Sequence, residues 1–167
     1  MIGSFSVVAN DRAKREVALM IKSVREFYDT PIFILCDYEV RDFLRGKYSN
    51  LHFRVDLVDE VLAKNKRLTK HIHQHNLFHD PAIILSKMTC MSWAMAETND
   101  TFFVDADVRF LKEVHKDIDH DMDIMMSPHY YSEDRVEQCK NYGYFNAGYI
   151  WSNNIDMPNE WKELYLT

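Results

Sequence analysis

The sequence predicts an α/β fold: a Rossmann-like, mixed but mostly parallel sheet flanked by helices. Three observations predict it. Two runs, "SFSVVA" (residues 4–9) and "TPIFILCD" (residues 30–37), are apolar without alternation, as strands buried on both faces are. Between them lies a segment whose apolar residues recur at helical spacing. Finally, four glycines and four prolines in 167 residues leave little material for a loop-rich or repeat architecture.

Each element follows in chain order. "SFSVVA" is a short β-branched run and the first strand. In "NDRAKREVALMIKSVREFY", Val17, Met20, Ile21, Val24, Phe27 and Tyr28 share one helical face, with Asn10 or Asp11 as N-cap. "TPIFILCD" is the second strand. "YEVRDFLRGKY" is a short helix ending near Gly46, and "LHFRVDLV" (residues 51–58) alternates as a third strand. Residues 59–80 are polar, basic and histidine-rich, and read as helix or irregular chain. "AIILSKMTCMSWAMAE" after Pro81 is a helix. "TFFV" (residues 101–104) is a fourth strand, "MDIMMSPHY" contains a fifth and "YFNAGYIWSNN" a sixth. The strand–helix alternation of the first half implies parallel strands covered on two sides. The second half reads as mixed, with longer loops.

The bulk numbers fit one domain over residues 1–167. Hydrophobic residues make up 47% and aromatics 13%, enough for a sizeable core. A net charge of −6 argues against an electrostatic grip on nucleic acid or anionic lipid. No apolar stretch approaches the roughly 20 residues of a membrane span. "MIGSFSVVAND" lacks a basic n-region and a long h-region, so no signal peptide and a cytoplasmic location are expected. Cys36, Cys90 and Cys139 are widely spaced and odd in number, which suits free thiols acting as small apolar filler.

Asp105 and Asp107 interrupt an apolar run, "TFFVDADVRFL". At the end of a buried parallel strand the chain emerges at the carboxyl edge of the sheet, where open α/β sheets bind ligands. Two carboxylates about 4 Å apart repel by several kcal/mol at an effective dielectric near 20. A divalent cation offsets this best. Hard oxygens suit Mg²⁺ or Mn²⁺, and Mg²⁺ is held by few protein ligands together with substrate phosphates. The pair therefore reads as a metal clamp for a diphosphate. A lone Asp-x-Asp is more often an exposed turn; the flanking "TFFV" and "VRFL" anchor this one in core.

"FFVDADVRFL", preceded by a helix carrying Lys87 and followed by "FNAGYIWSNN", resembles nucleotide-sugar glycosyltransferases of the GT-A fold, the glycogenin-like group and its nucleotide-diphospho-sugar transferase relatives. "FSVVANDRAKREVALMIKSVREFYDTPIFILCD" is similar to their first strand, long helix and second strand, so the resemblance spans the chain. It implies roles for individual residues. Ala9, Asn10 and Asp11 would meet the nucleoside, and Asp37 the base or ribose. Lys87 would face the diphosphate or sugar. Asp107 would bind Mn²⁺ or Mg²⁺ directly, while Asp105 would share the ion or hold the ribose. Asn146, Ala147 and Gly148 would line the donor-sugar pocket. The activity implied is transfer of a sugar from a UDP- or GDP-linked donor to an acceptor hydroxyl, mostly with retention in such families. Their further acidic, glutamine-containing segment and C-terminal histidine are not matched in "IDMPNEWKELYLT". A catalytically incomplete donor-binding domain therefore stands as the alternative. A sugar nucleotidyltransferase is a further one, opposed by the lack of a Gly-rich basic loop after the first strand.

Other candidates are weaker. His71, His73, His75 and His79 could line a zinc or copper site, but no cysteine or HExxH pattern accompanies them. The segment reads as a solvated stretch; a mobile loop bringing Lys64, Lys66 and Arg67 to phosphate, or supplying a metal ligand, stays open. "DIDHDMD" (residues 117–123) fails the calcium-loop pattern in both registers and reads as an acidic turn before a strand. Glu133 and Asp134 are available as a base, with nothing to single them out. Trp93, Trp151 and Trp161 are expected in the core; Tyr130, Tyr131, Tyr142 and Tyr144 suit core or rim packing, or stacking on a sugar or base.

Overall fold

The computed structural model describes residues 1–56, 81–128, 137 and 144–166. The histidine segment, Glu133, Asp134, Cys139, Tyr130, Tyr131 and Tyr142 lie outside the described residues. Strand β1 is Phe5–Ala9. A 3₁₀ turn, Asp11–Ala13, leads into helix α1, Lys14–Arg25. Strand β2 is Ile32–Cys36, helix α2 Tyr38–Leu44 and strand β3 Leu51–Arg54. Helix α3 is Pro81–Glu97 and β4 Thr101–Val104. Strands β5, Ile124–Pro128, and β6, Phe145–Ser152, precede helix α4, Met157–Leu166.

The ends of these elements have local causes. Of the two expected caps, Asn10 is the one observed; it opens the 3₁₀ turn, its side chain accepting from the Arg12 N–H at 3.2 Å. The first turn is tight, with Ala13 N–H donating to the Asn10 carbonyl at 2.9 Å, so α1 itself starts only at Lys14. Asp37 caps α2 by accepting from the Val40 N–H at 2.9 Å. Gly46, at φ +77°, takes the left-handed conformation that turns the chain toward β3. The acidic stretch before β5 is irregular apart from the short turn His115–Asp117.

One six-stranded sheet runs in the order β3-β2-β1-β4-β6-β5. β3, β2, β1 and β4 are parallel neighbours, and β6 is antiparallel to both β4 and β5. The parallel half matches the apolar runs: all five residues of β2 and all four of β4 are buried. One face carries Val17, Met20, Ile21 and Val24 of α1 against Phe5, Val7, Ile32, Ile34, Phe102 and Val104. The other carries α3. Its Met88, Met91 and Met95 pack with Phe103 and Ile150, and its Cys90 and Ala94 with Phe33 and Leu35. Each large side chain withdrawn here from water contributes about 1.5–3 kcal/mol. Trp151 is buried, whereas Trp93 and Trp161 are half-buried and Tyr144 is exposed. Among the described residues no helix is long and apolar enough to cross a membrane.

The topology fixes where a ligand belongs. The chain builds outward from β1 through β2 to β3, then returns through α3 to place β4 on the other side of β1. That reversal opens a crevice at the carboxyl ends of β1 and β4.

Candidate functional site

Most residues singled out from sequence meet at this rim. Ala9 closes β1 and is buried; Asn10 and Asp11 follow it. Asp11 N–H donates to Asp37 Oδ2 at 2.6 Å, which ties the β1 loop to the end of β2. Asp37 is 4% exposed, and its other oxygen caps α2. The observed work of this carboxylate is thus to order two loops. The Asp11 side chain points outward and pairs with Lys14 at 2.6 Å.

Across the crevice, β4 ends in a tight turn: Val108 N–H donates to the Asp105 carbonyl at 3.1 Å. Asp105 and Asp107 lie in and beside this turn, and Asp107 is exposed. β6 runs antiparallel to β4 with Val104 opposite Tyr149, so its first residues lie beside the aspartate turn. Asp105 N–H donates to the Gly148 carbonyl at 2.9 Å. The Asp105 carboxylate sits directly over Gly148. A Cβ at that position would overlap Asp105 Oδ2 and come within 2.6 Å of its Cγ. Any side chain at position 148 would therefore have to displace the Asp105 carboxylate. Asn146 Oδ1 accepts from the Gly148 N–H at 2.8 Å, which fixes the start of the strand.

Lys87 enters from α3. Its charge is directed inward rather than to solvent. Its side chain is 14% exposed, and Nζ lies 2.7 Å from Asp105 Oδ1. The same ammonium is 3.4 Å from the Ala147 carbonyl and 5.4 Å from the centre of the Phe103 ring. Ala147 thus meets Lys87 through its backbone. Sequence reasoning named Lys87 and Gly148 but missed both their contacts with Asp105; the sequence carries no signal for the register that brings them together.

The residues are suited to a hard divalent cation in type and number. Asp105 and Asp107 offer carboxylate oxygens from one turn. Among the described residues no three His, Cys, Asp or Glu side chains converge as a metal group. Two protein carboxylates, completed by water and substrate phosphate, is the usual complement for Mg²⁺. The Lys87 pairing means that a cation would share or take over Asp105.

Comparisons with known proteins show the fold. The galactosyltransferase LgtC, in complex with donor and acceptor sugar analogs, superposes with a TM-score of 0.62 at 19% identity, covering 98% of this chain and 65% of that one. The mannosyltransferase Ktr4p from S. cerevisiae, in complex with GDP, gives 0.58 at 14% identity, covering 98% and 60%. The bifunctional glycosyltransferase WbbM gives 0.58 at 13%, covering 99% and 34%. This is the GT-A glycosyltransferase fold that the resemblance implied, and the chain spans about two thirds or less of those chains' lengths. No family model matches the chain, and no curated protein matches it in sequence.

Proposed function

We propose that this chain binds a nucleotide-diphosphate sugar through a divalent cation and serves glycosyl transfer to an acceptor hydroxyl. One observation carries the reading: Asp105 and Asp107 sit in the turn closing β4, beside the strand-order reversal, with the withdrawn lysine Lys87 on one of them. Similarity to transferases that bind GDP or sugar analogs supports the choice of ligand.

Residue by residue, the loop Ala9–Asn10–Asp11 forms one wall of the crevice and would meet the nucleoside. Asp37 holds that wall rigid through the Asp11 N–H. Asp105 and Asp107 would hold Mn²⁺ or Mg²⁺, which when bound supplies Lewis-acid stabilisation of the departing nucleoside diphosphate. Lys87 adds a positive charge beside the same oxygens, and its attraction would grow with the charge on the leaving group. Asn146, Ala147 and Gly148, the last lying under Asp105, would line the sugar pocket. The anomeric carbon would gain oxocarbenium character as its bond to the diphosphate breaks.

Calorimetry with UDP and GDP, each with and without Mn²⁺, tests the binding step. Binding that requires Mn²⁺, with slow release of sugar to water from the matching donor, is the expected result. Metal-dependent binding without turnover of any donor would reduce the chain to a donor-binding domain. Nucleotide binding indifferent to Mn²⁺ would remove the metal clamp.

A further inference from the structure

Resting on that reading, we propose that Lys87 is a resident counter-ion of Asp105 that makes cation and diphosphate binding interdependent. Each would bind weakly until the other is present. The argument begins with burial. The Lys87 side chain is 14% exposed and that of Asp105 is 41%, so the ammonium is the more withdrawn partner. An ammonium removed from bulk water needs an opposite charge at hand. Among the described residues that charge is Asp105, at 2.7 Å; the Ala147 carbonyl and the Phe103 ring are neutral.

Charge then decides the order of events. A dication arriving alone draws on the carboxylate that Lys87 depends on, and it places like charge beside the ammonium. A diphosphate arriving alone meets two carboxylates, with the nearby ammonium already neutralised. When both arrive, the cation answers Asp105 and Asp107 while a phosphate oxygen replaces Asp105 as the partner of Lys87. The Asp105 backbone is pinned meanwhile by its N–H bond to the Gly148 carbonyl, and its carboxylate would be held by the cation. The exchange therefore falls to the lysine, whose unbranched stem can reorient. Linkage requires the coupling to be equal in both directions.

Calorimetric titration of Mn²⁺ into the whole chain, with and without saturating UDP, reads the coupling directly. In the wild type, UDP should tighten Mn²⁺ binding by about tenfold or more, within the usual range of coupling between sites. In Lys87→Gln, Mn²⁺ alone should bind several-fold more tightly than in the wild type, on the order of 3- to 10-fold, and the coupling should fall by a similar factor, leaving the part that comes from the cation's own contact with the diphosphate. Lys87→Arg keeps the charge and should keep the coupling. An unchanged coupling factor in Lys87→Gln overturns the inference while leaving the donor-site reading intact. Equal Mn²⁺ affinity with and without UDP in the wild type, a result that needs no variant to fold, overturns the inference and, by linkage, the metal clamp with it. If the wild type binds neither Mn²⁺ nor UDP in any combination, the donor-site reading fails and this inference fails with it.

Discussion

At the carboxyl end of β2, Asp37 is 4% exposed, and both its oxygens accept backbone N–H bonds, from Asp11 and Val40. At the carboxyl end of β4, Asp105 has a side chain 41% exposed and is answered by one lysine from another helix. Both residues close a parallel strand at the same rim of the same sheet. They differ in what neutralises them. Backbone N–H groups cannot leave, so Asp37 holds the loops together whatever its remaining lone pairs meet. A lysine can be exchanged for another cation, so Asp105 retains a capacity to bind. Under the proposed function, this difference makes Asp37 the ordering aspartate and Asp105 the ligand-binding one.

The sharpest way to break this comparison is to delete the acids in turn. Asp105→Ala or Asp107→Ala should lower Mn²⁺-dependent nucleotide affinity by about 100-fold, the upper end of what even an outer-shell partner costs a metal site. Calorimetry with UDP and GDP measures it, and unchanged affinity in both variants would end the metal-clamp reading. Asp37→Ala should instead act on the fold. It removes a helix cap and leaves the Asp11 N–H unanswered, so denaturant unfolding should show a loss of about 2 kcal/mol. If Asp37→Ala kept full stability but lost nucleotide binding, the two aspartates would have been assigned the wrong way round.

A finer probe is Gly148→Ala. The new methyl overlaps the Asp105 carboxylate and must displace it. Nucleotide affinity in Mn²⁺ should fall about tenfold, with a stability loss of about 1 kcal/mol, at the low end of overpacking costs. Near-normal affinity would show that the position of Asp105 over β6 is immaterial.

The smallest effect concerns the thiols. Burial pushes both the Cys36 and the Cys90 thiols up to about 12; Asp37 and Cys90 add to this at Cys36. An unfolded chain ionises these thiols from about pH 8.5 upward while the folded one does not, so their contribution to stability is intact below that pH and declines above it, toward pH 12. At pH 8 both should resist iodoacetamide in the native protein and react readily in urea, as peptide mapping by mass spectrometry would show. Rapid native labelling of Cys90 would mean that α3 lifts from the sheet.

Much of the fold is legible in the sequence because its signals are local. "SFSVVA", "TPIFILCD" and "TFFV" become β1, β2 and β4 within a residue or two, since strands buried on both faces need unbroken apolar runs. The helical spacing of Val17, Met20, Ile21 and Val24 likewise yields α1, but the sequence did not show its 3₁₀ entry, and the helix stops at Arg25, short of the expected Phe27 and Tyr28. "LHFRVDLV" overstates the third strand, for alternation continues past Arg54, where the described ladder stops. The candidate site was legible as a set of residues, but its connections were not. Gly148 was expected at the sugar pocket, and nothing in "FNAG" says that Asp105 lies over it.

By itself, the sequence determined the alternation of strands and helices, the apolar faces they bury and the placing of two acids at a strand's end. These depend on periodicity and on neighbours in the chain. Only the tertiary structure decided that Lys87 lies 2.7 Å from Asp105, that Gly148 leaves room for it, and that Asp37 is taken up by backbone. Those contacts join residues far apart along the chain. They exist because β4 crosses to the far side of β1 and pairs with β6 in one register, a choice set by how the whole core packs rather than by any local stretch.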